Sequence, residues 1–167
     1  MNTSDRWKQS AGRVRIGVIS DTHSYLHPQV VALFAGVDHI IHAGDVGDRA
    51  VLEALRAVAE VTAVSGNMDA ADLCTELPAE AQGDVSGIRF IVGHLQRDLL
   101  SRHEDPASEG FDLVVCGRTH RAYADWHDGV LYLNPGSATA PGPGEQPSVA
   151  VVEVDSVGLD PRIIPLD

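Results

Sequence analysis

The chain has 167 residues, 44% of them hydrophobic and 22% charged, a length and balance that suit one domain with a sizeable core and exclude a disordered or fibrous chain. Its 24 acidic against 12 basic side chains give a formal net charge of −12, which disfavours extended binding to long nucleic acid. Residues 1–12 lack the apolar stretch of a signal peptide and no later segment reaches about 18 uninterrupted apolar residues, so a cytoplasmic protein without a membrane span is expected.

Residues 1–12 are polar and aperiodic and read as a loosely held leader, with the folded domain running from 13 to 167. Val14, Ile16, Val18 and Ile19 form a short β-branched run, as a buried strand should be, and it ends in Ser20-Asp21-Thr22-His23. Pro28 opens a helix toward Gly36 on Val30, Val31, Leu33 and Phe34. A second strand from Asp38 to His42 stops at Ala43-Gly44-Asp45, a helix follows from about Arg49 to Ala59, and a third strand, Val61 to Val64, stops at Ser65-Gly66-Asn67-Met68-Asp69. Strand-then-helix units repeated in this way predict parallel strands whose polar ends converge. Ligands of open α/β sheets bind at the carboxyl ends of the strands, which is where these polar clusters stand.

Beyond Pro78 the pattern reads as more antiparallel. Ser86-Gly87 marks a hairpin between Ala81–Ser86 and Ile88–Val92, and Asp128-Gly129 marks another between Tyr123–Trp126 and Val130–Asn134. Ile88 to Val92 ends in Gly93-His94, and the charged stretch from Gln96 to Gly110 reads as loop with a helical turn or two. Phe111 to Cys116 is a strand ending in Gly117-Arg118-Thr119-His120, and Ser148–Val154 and Arg162–Leu166 are the last strands.

Asp21, His23, Asp45, Asn67, His94 and His120 all stand within a residue or two of a strand end, and each can ligate a metal through oxygen or imidazole nitrogen. Taken singly, an Asp or Asn after a strand is a turn former or cap, and a lone His a packed or solvated residue. Six together, with glycine beside Asp45, Asn67 and His94, read as one divalent-metal site. Ligands without thiolate favour Mn²⁺, Fe, Ni²⁺ or catalytic Zn²⁺, with Mg²⁺ also open, as one or two ions per chain. Cys74 and Cys116 show no zinc spacing and read as small packed residues.

The motifs Asp21-Thr-His23, Gly44-Asp45, Gly66-Asn67-Met-Asp69, Gly93-His94, Gly117-Arg-Thr-His120 and Asn134-Pro-Gly-Ser137 resemble, in order over nearly the whole chain, those of the calcineurin-like metallophosphoesterases. The likeness is to their small single-domain bacterial phosphodiesterase branch, which also includes a retromer scaffold subunit. The resemblance implies an α/β fold, a four-layer αββα sandwich of two mixed β-sheets flanked by helices. It implies that Asp21, His23, Asp45 and His120 hold one ion, and that Asp45, Asn67 and His94 hold a second with Asp45 bridging. A hydroxide between the ions would attack the phosphorus of a small phosphate-ester or nucleotide-like substrate, making Mn²⁺-dependent phosphodiesterase the expected activity. Catalytically impaired scaffold and phosphomonoesterase are the alternatives, and a homo-oligomer stays open.

Two positions depart from that pattern. Arg118 stands where the family has a ligating His, and a guanidinium keeps its proton and cannot bind a cation. It either faces inward to clamp phosphate oxygens or faces outward and pairs with a surface acid. Met68 stands where larger members carry a His thought to protonate the leaving group. Of the other polar residues, His42 reads as a packed strand residue with a ligand-orienting role as the alternative, Asp69 as a cap near Ala70 or a ligand support, and His27, His39, His103 and His127 as solvated.

Overall fold

A computed structural model describes residues 12–167; the leader expected over 1–12 otherwise lies outside the described residues. In chain order the elements are β1 (Val14–Ile19), α1 (Pro28–Leu33), β2 (His39–His42), α2 (Arg49–Arg56), β3 (Val61–Ala63), α3 (Ala71–Glu76), β4 (Glu80–Val85), β5 (Ile88–Gly93), α4 (Gln96–Arg102), β6 (Leu113–Val115), β7 (Ala122–His127), β8 (Val130–Pro135), β9 (Ser148–Val154) and β10 (Leu159–Pro165). They form two five-stranded sheets, ordered β10-β9-β1-β2-β3 and β4-β5-β6-β8-β7.

Period-two alternation puts the strands' apolar residues on both faces, so each sheet is covered twice. Val14, Ile16 and Val18 of β1 meet Ile88, Phe90 and Val92 of β5 and Leu131 and Leu133 of β8 in the core between the sheets. Ile19 and Ile40 face the other way, onto Val30 of α1, Leu52 and Leu55 of α2 and Leu73 of α3. Leu99 of α4 covers Ile91 and Val114 on the outer face of the second sheet. This is the expected αββα layering. Full burial of a Leu such as Leu52 or Leu55 contributes about 1.5 to 3 kcal/mol, so α2 is held by its inner face, with Asp48 accepting the Ala50 N–H at its start.

Both sheets are mixed. β1, β2 and β3 run parallel, with β9 and β10 antiparallel beyond them. In the second sheet β5, β6 and β8 are also parallel, and only the edge strands β4 and β7 are antiparallel. The antiparallel second half expected from sequence therefore holds for the two hairpins and fails for the centre of that sheet. The two helical turns allowed for in the stretch after His94 are the seven-residue α4, and α3 had no sequence counterpart. Each of the six parallel strands ends in, or no more than three residues before, one of the motifs singled out above. No helix among the described residues is long and apolar enough to cross a membrane.

Candidate metal centre

The loops after β1, β2 and β3 are laced together. The N–H groups of Asp21, His23 and Ser24 donate to the carbonyls of Gly44, Asp45 and Val46 at 3.0, 3.0 and 2.9 Å. Asp69 accepts from the N–H of Gly47 and of Gly66, both at 2.8 Å, so it ties the second loop to the third. It caps no helix, since α3 begins at Ala71 with Ala70 at its N-cap and no side-chain cap. Gly66 has to be glycine because a Cβ there would collide with Asp45. Six non-glycine residues in or beside the site loops (Asp21, His23, Ser24, Asp45, Arg118 and His120) adopt left-handed backbone, with φ of 54, 45, 71, 54, 70 and 58°. Side chains disfavour that region, and it persists only where the surroundings over-determine it.

His42 is fully buried beneath these loops. Its Nδ1 accepts the Gly44 N–H at 3.1 Å, so the proton sits on Nε2, which donates to Thr22 Oγ1 at 3.0 Å; Thr22 in turn donates to the Val46 carbonyl at 2.8 Å. Burial pushes the ring pKa down to about 4 and keeps it neutral. The side chain thus binds the Asp21 loop to the Asp45 loop.

The six candidate ligands converge. One cluster is Asp21, His23 and His120, another is Asp21, Asp45 and His94, and in each the donor atoms lie within 4.8 Å of one another. His120 Nε2 is 3.1 Å from Asp21 Oδ1, and His94 Nε2 is 3.3 Å from Asp45 Oδ2 and 3.0 Å from Asn67 Oδ1. Asp21 is the acid common to both clusters, a place the resemblance gives to Asp45. His94 donates through Nδ1 to the Ala43 carbonyl at 2.7 Å, which leaves Nε2 as the atom facing the centre.

Charges are set against burial here. Burial raises the pKa of Asp21, opposed by the Ser20 hydroxyl, which donates to it at 2.6 Å, and by His94 and His120. Burial works the same way on Asp45, but the His94 contact and the Met68 N–H outweigh it and hold that carboxyl low. Burial opposes a charged His94, but the Asp45 carboxylate, the Ala43 carbonyl and Asp21 outweigh it and raise the ring. His23 Nε2 is buried with no hydrogen-bond partner among the described residues. Two buried carboxylates, three imidazoles and an orphaned ring nitrogen fit a divalent cation, the charge that would satisfy all of them.

Around this core stand residues that no spacing marks. Ser137 and Thr139 both donate to the Asp21 carbonyl at 3.0 Å, and Asn134 donates to the Gly117 carbonyl at 3.0 Å, which gives the Asn134-Pro-Gly-Ser137 motif its purpose as a brace. A Cβ at Gly117 would strike Ser20. Arg118 is exposed; its N–H lies 3.3 Å from Asp21 Oδ2, and its guanidinium has no ion pair or hydrogen bond among the described residues. The surface acid that an outward Arg118 would pair with is absent among the described residues.

Three sequence expectations fail. His39 is buried against Phe90 with Thr62 Oγ1 2.7 Å from its Nε2, and the His103 side chain, only 12% exposed, lies between Glu80 and Glu109; hydrogen-bonding partners made both burials affordable. Cys74 is exposed rather than packed, while Cys116 is buried as expected.

The calcineurin-like phosphoesterase superfamily domain matches residues 14–157 of the chain. A "Probable metallophosphoesterase" of Methanocaldococcus jannaschii is 38% identical over 140 residues, 78% of this chain and 71% of that protein. Among solved structures, one described as a novel archaeal phosphodiesterase superposes with a TM-score of 0.74 at 25% identity, covering 92% of this chain and 100% of the other. Vacuolar Protein Sorting 29 from Cryptosporidium parvum superposes with a TM-score of 0.78 at 21% identity over 94% of this chain and 93% of its own, a likeness of fold. With the parallel strand ends, the converging ligands and the family match all in agreement, the chain belongs to the calcineurin-like phosphoesterase superfamily.

Proposed function

We infer that this protein is a divalent-metal phosphodiesterase with manganese as its first metal, held by Asp21, His23, Asp45, Asn67, His94 and His120. The observation that carries the reading is the pair of clusters sharing Asp21, with His23 Nε2 buried, 3.9 Å from Asp21 Oδ1 and without a hydrogen-bond partner among the described residues. A divalent ion bound there supplies Lewis-acid charge and lowers the pKa of a water. The rest is done by the chain. Ala43 holds the His94 ring through Nδ1, Ser20 and the Arg118 N–H orient the Asp21 carboxylate, and the braces on its carbonyl keep the first loop from relaxing.

Arg118 takes the role of phosphate clamp in this reading. Its guanidinium is uncommitted, it starts beside Asp21, and it can offer two parallel donors to phosphoryl oxygens. One such fixed cation on a chain of net charge −12 matches the single charge of a diester better than the two of a monoester. The phosphodiesterase description of one structural neighbour supports the same choice. Met68 is 68% exposed and carries no proton to give, so good leaving groups are favoured.

The test is hydrolysis of bis-nitrophenyl phosphate by metal-stripped protein with Mn²⁺ restored. Turnover that disappears in Asp45→Ala is expected. A silent parent that gains activity as Arg118→His would replace this reading with a scaffold protein, the second reading that Arg118 favours.

A further inference from the structure

A cleft of about 170 Å³ opens beside the His94 edge of the centre, with Asn67 and Gly66 on one wall and Leu95, Asp98 and Arg102 on the other. Small-molecule sites commonly run from about 300 to 1,000 Å³, so this one admits a single small group, roughly six units the size of a water molecule. Asp98 and Arg102 are four apart on α4 and therefore share a face.

Arg102 is held in place. Its Nε donates to Glu80 Oε2 at 2.6 Å, and Glu80 Oε1 is 3.0 Å from His103 Nε2, whose Nδ1 is 2.7 Å from Glu109. Neither of its terminal nitrogens has a partner among the described residues, so the outer edge of an anchored guanidinium is left with donors to spare. Asp98 is the complement: a half-exposed carboxylate whose nearest cation is the Arg97 Nε at 3.8 Å.

The two charges together select the occupant. An anionic group would meet Asp98 in a chain already at −12, and a cationic group would meet Arg102. Hydroxyl groups satisfy both, because each can donate to a carboxylate and accept from a guanidinium. Resting on the phosphodiesterase reading above, we propose that this cleft seats one ester group of the substrate and that the group is a small neutral polyol of glycerol size, its hydroxyls read by Asp98 and Arg102. Specificity is thereby placed on α4, outside the metal ligands.

The probes are methyl 2,3-dihydroxypropyl phosphate and methyl propyl phosphate, which differ only in two hydroxyls. Both are alkyl diesters with poor leaving groups, so the manganese-loaded protein can be titrated calorimetrically before appreciable turnover. The dihydroxy diester is expected to bind about tenfold tighter, and the preference to fall below about threefold in Asp98→Asn and in Arg102→Gln. Asp98→Asn is the decisive variant because it leaves the Arg102–Glu80 contact in place. Equal affinities in the parent, or a preference that survives both substitutions, overturn the proposal. Failure of the parent to bind either diester overturns it too, and bis-nitrophenyl phosphate hydrolysis by the same preparation then shows whether the metal centre has failed with it.

Discussion

On the first sheet, the loops after β1, β2 and β3 hold Asp21, His23, Asp45 and Asn67 through hydrogen bonds that run from loop to loop, with His42, Thr22 and Asp69 buried or half-buried among them. On the second sheet, the loops after β5 and β6 bring His94, Arg118 and His120, and these reach the first rim through a few side-chain contacts: His94 to the Ala43 carbonyl, Asp45 and Asn67, the Arg118 N–H and His120 to Asp21. The first rim supplies both carboxylates together with His23 and Asn67, and the second supplies two imidazoles and a guanidinium without a partner among the described residues. Damage to the first rim should therefore abolish the centre, whereas changes on the second should retune it.

The largest effect is expected at Asp21, the acid shared by both clusters. Asp21→Ala should lose bound metal and lower phosphodiester turnover by about a thousandfold or more, some 4 kcal/mol of barrier, read by metal content and by bis-nitrophenyl phosphate kinetics. His42→Ala comes next. It opens a hole under the loops and orphans the Gly44 N–H, so unfolding free energy should fall by about 2 to 4 kcal/mol and metal affinity by about 10- to 100-fold. A variant that lost stability and kept full metal affinity would show that His42 packs the strand without positioning the ligands.

Arg118→His separates the rims more finely. If the second rim tunes the number of ions, this change should raise the manganese bound per chain, whereas Arg118→Ala should not, because removing a charge adds no ligand. Metal titration of the two variants beside the parent decides it. Equal occupancy in all three would mean that the guanidinium does not govern the second cluster.

The difference between the rims also explains what could be read from sequence. Asp21, His23, Asp45, Asn67, His94 and His120 were visible because each interrupts a β-branched run at its end, where a parallel sheet gathers ligands. The support beneath them was visible only in part, with His42 and Asp69 weighed as ligand supports beside blander roles. Ser137 stood out only through the resemblance, and neither its partner nor that of Thr139, the Asp21 carbonyl more than a hundred residues earlier, can be read from spacing. α3 was missed because only Leu73 of its six residues is buried and no side chain caps it, so neither periodicity nor a cap marks it. The hairpins were found from Ser86-Gly87 and Asp128-Gly129, which are local signals. The pairing of β5 with β6 and β8 is long-range, and the unclear helical character of residues 96–110 hid the crossover that makes it parallel.

The smallest effect lies at the far end of the second rim, where His103 joins α4 to β4 and to the loop carrying Glu109. Contacts with Glu109 and Glu80 raise its pKa, partial burial opposing them, because both ring nitrogens meet carboxylates and only the imidazolium can donate from both. A raised folded pKa means that this stabilisation is complete below the unfolded value of about 6.5 and is lost as pH rises through the folded value. Glu80 is held below its ordinary range by His103 and Arg102, outweighing partial burial, so its own contribution fails only in acid and does not obscure that window. Replacing His103 by Gln should therefore cost about 1 kcal/mol or less near pH 6, with the gap from the parent closing toward pH 9, as measured by urea midpoints. A gap that stayed constant or widened with rising pH would place the value of His103 in packing against Phe111 rather than in its charge.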